Sequence, residues 1–165
     1  MDIIKELSTE MENEAVTTRK MLALVPESRF DWSPHPKSMT LKQLATHVAE
    51  IPSWVVIAVD QDELDFNAGS YQPAPVNNHV DLLALFDQSF IAGRTALDRL
   101  SASMLDTPWI MRGGEVVYLD TTKYGMVRHA FAQTIHHRAQ LGVFLRLLDI
   151  AIPGSYGPSA DEMGG

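Results

Sequence analysis

Cysteine is missing from this chain altogether. Its absence rules out a disulfide framework, a thiolate nucleophile and a cysteine-ligated metal, so any thiol chemistry must recruit its thiol from a separate molecule. Basic residues are scarce as well: 13 Lys and Arg stand against 21 Asp and Glu, a formal charge of -8 with a pI near 5.1. The cations are scattered singly, and a field of that sign opposes a phosphate backbone, so no nucleic-acid partner is expected. Long apolar runs are absent too. The first residues, "MDIIKELSTEMENEAVTTRKMLALV", put a charge in nearly every turn. They leave neither a signal-peptide core nor a membrane span, and the chain reads as cytoplasmic. There is no glycine-rich phosphate loop, no G-x-S-x-G elbow and no H-E-x-x-H.

What is present suits one globular domain, residues 1–165, with 45% hydrophobic and 21% charged residues and length enough to bury roughly two-thirds of its unfolded surface. Four segments carry helical spacing. Ile3, Ile4, Leu7, Met11, Ala15, Thr18, Leu22 and Val25 recur at threes and fours until Pro26. A second helix opens at Thr40, where Thr40 and Gln43 have capping-box spacing. It carries Leu41, Leu44, Val48, Ile51 and Val55 on one stripe, and Pro52 should kink it. A third runs from about Val80 to Met104, and the fourth starts after Thr121 or Thr122 and reaches about Asp149. Between the second and third, "DQDELDFNAGSYQPAPVNNH" has no periodicity and reads as a long loop. Gly113 and Gly114 can turn a short hairpin, which would be marginal alone. The expected fold class is therefore all-α, a four-helix bundle whose connections are unequal in length.

Polar side chains on the apolar stripes are the candidate site. His47 lies three residues after Leu44 and four before Ile51. On the fourth helix Gln133 and His137 stand at i and i+4, with His129 one turn earlier. If the second and fourth helices are neighbours, His47, Gln133 and His137 converge where bundles build metal sites, and imidazole is the commonest ligand of zinc, nickel, iron and copper. Glu50, one turn after His47 in "HVAE", is a candidate ligand or general base, or else a solvated carboxylate. His136 points about 100° away from His137 and is a supporting or interfacial residue. Arg138 and Gln140 suit hydrogen bonds that fix a loop or a terminus. Trp32, Trp54 and Trp109 are core residues or pocket walls.

"KSMTLKQLATHVAEIPSW", "QTIHHRAQLGVFLRLL" and the closing "IPGSYGPSADE" together make the chain resemble the DinB-like superfamily, damage-inducible stress-response proteins related to YfiT-type metal-dependent enzymes. The likeness covers essentially the whole chain. It implies up-down-down-up connectivity, a homodimer, and nickel or zinc held by three histidines. Two of these match His47 and His137, and the middle one falls on Gln133. His129 or Glu50 then completes the shell, or the site is degenerate. The resemblance further implies a small-molecule substrate and a thiol-dependent transferase using mycothiol, bacillithiol or glutathione, with His136 and Arg138 supporting the metal ligands. A non-catalytic bundle that binds a ligand or partner, and a metal-dependent hydrolase with Glu50 as base, are the alternatives.

The tail, Pro153 to Glu162, is too polar to form a packed helix. Tyr156 and two prolines nevertheless suggest that it folds back on the bundle, with Tyr156 packed and Asp161 or Glu162 paired with a basic or amide group such as Arg138.

Overall fold

The computed structural model describes residues 2–69 and 74–164. Helix α1 spans Ile3–Leu22, and the Asp2 carboxylate accepts from the Ile4 and Lys5 N–H groups that no earlier carbonyl can reach. Helix α2, Leu41–Glu50, opens on a complete capping box. The Thr40 hydroxyl accepts from the Gln43 N–H at 3.2 Å, and Gln43 Oε1 accepts from the Thr40 N–H at 2.8 Å. Pro52 then breaks the helix as its missing N–H requires. A 3-10 turn, Ile51–Ser53, leads into α3, Trp54–Asp60. The break is accommodated by Gly93 across the interface, where a Cβ would stand 2.1 Å from the Pro52 carbonyl oxygen.

Helix α4 spans His79–Leu97 and is capped by the Asn78 side chain. It ends earlier than its apolar spacing suggests. Leu100 and Met104 continue the pattern, but Ser101 is extended and only a separate 3-10 turn, Ala102–Met104, follows. Helix α5 spans Lys123–Leu147, capped by Thr122. Past its end Asp149 takes a positive φ of 58°, and the Ile150 N–H returns to the Leu145 carbonyl.

The all-α expectation needs correction, because a three-stranded sheet in the order β1-β2-β3 accompanies the helices. The stretch read as a long loop contains β1, Glu63–Asp65, parallel to β2, Pro108–Gly113. Three residues are too few to show a period. The hairpin between β2 and β3, Val116–Thr122, does form, with Gly114 at φ 61° in its turn. It is not alone: Trp109 and Met111 of β2 are buried with Met126, Val127 and Ala130 of α5 in the same core cluster. Lys123 ties this side together. Its buried Nζ donates to the carbonyls of Val59 and Gln61 at 2.9 and 2.6 Å, which lie where α3 ends, and pairs with Asp62.

Helices α4 and α5 each pack on both α1 and the α2–α3 pair, while α1 and α2 meet only slightly. The first connection therefore crosses the bundle diagonal, and α2 and α5 are neighbours. Among the described residues no helix is long and apolar enough to cross a membrane.

Candidate functional site

The α2–α5 contact brings His47 and His137 together. Their ring centroids are 4.6 Å apart with planes at 74°. His47 also meets the edge of Trp54, centroids 5.5 Å apart.

Each imidazole is held by a residue three positions on. His47 Nδ1 lies 3.0 Å from Glu50 Oε1, and His137 Nδ1 lies 2.7 Å from Gln140 Oε1. An amide oxygen and an ionised carboxylate can only accept, so each Nδ1 carries the proton and donates it. In the neutral tautomer that this fixes, each ring has its lone pair on Nε2. Glu50 is 7% exposed, and the bond to His47 gives this buried carboxylate a partner. Burial pushes the His137 pKa below the usual imidazole value; the Gln140 bond acts the other way, and the neighbouring His47 and His136 lower it further.

The fit to a divalent metal rests on these donors. Two imidazoles, each with Nδ1–H held by an oxygen acceptor, have the outer support that metal-bound histidines have. Among the described residues a third donor does not converge on them. Gln133 Nε2 instead donates to His129 Nε2 at 3.3 Å, engaging that ring's lone pair one turn away, and burial lowers the His129 pKa. Among the described residues no three His, Asp or Glu side chains form a metal-holding group.

His136 is exposed and meets the edge of His137, centroids 4.8 Å apart. Arg138 does not meet the histidine pair. It is 2% exposed and turned toward α1, with Nη1 2.6 Å from Glu14 Oε2 and 3.1 Å from the Thr18 hydroxyl, and Nη2 3.3 Å from the Tyr156 hydroxyl. Its work is the fixing of a terminus. The Gln140 role was legible in the repeated spacing of "HVAE" and "HRAQ", a histidine with an acceptor at i+3 in both helices.

Two hollows flank the histidine pair and share Met39. One, of about 440 Å³, is lined by Lys42, Gln43, Thr46, His47, Glu50 and Ala74 besides Met39. The other, of about 340 Å³, is lined by Leu44, His137, Gln140 and Phe144 among others. Both have the volume of small-molecule sites.

The model of the DinB family matches residues 2–164. The chain belongs to the DinB family. Among solved structures it is similar to a DinB-like protein from Bacillus cereus, at 16% identity over 92% of this chain and 97% of that one, with a TM-score of 0.72. It is also similar to YfiT from Bacillus subtilis, described as a probable metal-dependent hydrolase with an unusual four-helix bundle topology, at 13% identity, 90% and 89% coverage and a TM-score of 0.63. A mycothiol-dependent maleylpyruvate isomerase is similar at 14% identity over 84% of this chain and 60% of that one, with a TM-score of 0.54. At such identities these likenesses establish the fold alone. No curated protein matches the sequence.

Proposed function

We propose that this DinB-family protein is a metal-dependent enzyme of the thiol-transferase type, in which His47 and His137 hold nickel or zinc through Nε2. The observation that carries the reading is the paired imidazoles with both Nδ1 atoms engaged, by Glu50 and by Gln140. A bound divalent ion would supply the positive charge that brings the pKa of a thiol or water toward neutrality. The chain's own residues orient the two rings, favour the neutral form of His137 by burial, and open beside them the hollow that admits a small substrate and a low-molecular-weight thiol. Glu50 is a positioning residue on this reading, engaged with His47, which disfavours its service as the base of a hydrolase. Two imidazoles leave more coordination positions open than three would, which suits a substrate and a thiol bound side by side. Gln133 and His129 stand one and two turns from His137 on the same helix face, as reserve donors in weakened form.

The test is metal analysis of protein purified without chelator or histidine tag, followed by titration with nickel or zinc. About one equivalent per chain is expected, and Gln133→His should tighten binding because imidazole replaces a weakly donating amide. Less than about a tenth of an equivalent, unrecovered after metal addition, favours the non-catalytic ligand-binding bundle instead.

A further inference from the structure

The larger hollow beside His47 holds polar groups that the metal reading does not use. Lys42 and Thr46 are at i and i+4 of α2 and both line it. Every arginine except exposed Arg29 lies in an ion pair, as does Lys123, and Lys5, Lys20 and Lys37 are exposed. Lys42 is different: it is half-buried, and among the described residues its ammonium has no acidic partner. Thr46 is only 7% exposed, and among the described residues its hydroxyl has no hydrogen-bond partner, although Thr18, Thr95 and Thr134 each donate to the carbonyl four residues back. A hydroxyl that reaches the hollow from an otherwise buried side chain and a sheltered cation, one turn apart on one cavity wall and neither engaged by a described residue, are a good arrangement for a ligand.

We infer that Lys42 and Thr46 form a subsite for the carboxylate of a small organic acid, with its reactive end beside His47. The first N–H groups of α2 are already engaged: Leu41 donates to Trp32, Lys42 to Phe30 and Gln43 to the Thr40 hydroxyl. Recognition therefore falls to the two side chains, aided by the positive end of the α2 dipole. Glu50, on the same row one turn beyond Thr46, is held by His47 and repels a second negative group, so the acid enters carboxylate toward Lys42. Five residues separate Lys42 from His47, about 7.5 Å along the helix, which sets the ligand at a few carbons. The subsite rests on the metal-enzyme reading only for the identity of the reactive end.

The experiment uses the full chain without metal. Backbone amide resonances are followed while butyrate is added at constant ionic strength, with neutral butyramide and inorganic phosphate titrated in parallel. Butyrate should shift the amides of Lys42 to His47 saturably and bind at least about tenfold more tightly than butyramide, the worth of one charge-assisted hydrogen bond. Lys42→Met should weaken butyrate by about the same factor, Thr46→Val by a few-fold, and Lys5→Met not at all. Equal binding of butyramide, unchanged butyrate affinity in both Lys42→Met and Thr46→Val, or shifts confined to other surfaces would overturn the subsite. Tighter binding of phosphate than of butyrate would overturn its assignment to carboxylates. Because nickel and zinc uptake is measured separately on the unaltered chain, the metal reading and the anion subsite can each fail alone.

Discussion

Arg138 joins three parts of the chain through one guanidinium: α5 on which it sits, Glu14 and Thr18 of α1, and Tyr156 of the tail. Tyr156 in turn donates to Glu14 Oε1 at 2.7 Å, closing a ring of polar contacts. Removing one member of a buried ion pair leaves the other charge unsolvated, which costs roughly 3 kcal/mol or more. Arg138→Ala is therefore expected to lower the melting temperature by roughly 6 to 12 °C, at about 2 to 4 °C per kcal/mol for a chain of this size. A thermal melt near neutral pH checks it, and a fall under about 2 °C would mean that Glu14 finds water when its partner is gone. Arg138 could be recognised in the sequence as a polar residue on an apolar helix, but not assigned. Its neighbour His137 is one position and about 100° away, and only the packing of α5 between α1 and α2 sends one side chain to each.

The tail is an element without regular structure that is nevertheless held at many points. The Asp161 carboxylate accepts from Arg146 at 2.9 Å and from the Ile152 N–H at 3.0 Å, while Glu162 accepts from the Gly154 and Ser159 N–H groups. Gly154 is required by this fold-back, since a Cβ there would stand 2.1 Å from the Gly157 carbonyl oxygen. Fold-back was expected from Tyr156 and the prolines, though with different contacts. Tyr156 is 71% exposed, anchored by its hydroxyl and by the Arg138 guanidinium 5.6 Å from its ring centroid rather than by apolar packing, and Asp161 pairs with Arg146 rather than Arg138. The Arg146 hydrogen bond and the Ile152 N–H hold the Asp161 pKa down to about 2. A folded value below the unfolded one, near 3.9, means that the tail's stabilisation is fully present above about pH 4 and is lost as pH falls through about 2. Amide exchange at Ile152, followed between pH 5 and pH 2, should show protection failing in that window. In Asp161→Asn the protection should be weak throughout and lose this dependence; an identical profile in the variant would contradict the assignment. Deleting residues 154–165 should lower the melting temperature by several degrees, for a loss of about 1 to 2 kcal/mol.

At the scale of the molecule, α1 and α4 bury their main stripes inward but leave Val16 and Ile91 well exposed. We expect these faces to meet in a two-fold homodimer, since an isologous contact covers the same apolar patch on both copies at once. Sedimentation at micromolar concentration should show a species of twice the chain mass. A lone 18.3 kDa species would refute the dimer and leave the exposed residues as ordinary surface.

The sequence by itself determined the helical frame, the capping box at Thr40, the break at Pro52 and the candidacy of His47 and His137. Each is set within one or two turns of chain, by side-chain period, by a missing N–H or by a hydroxyl one turn from an amide. Only the tertiary structure decided the rest. Strand β1 exists because β2, some 45 residues later, offers it a partner, and no local pattern encodes a three-residue parallel pairing. The two imidazoles converge because α2 and α5 are neighbours, whereas Gln133 bonds to His129 on its own helix. Helix period places these side chains to within a turn, but a choice between partners a few ångströms apart depends on how two helices are rotated against each other, and that is settled by the packing of the core between them.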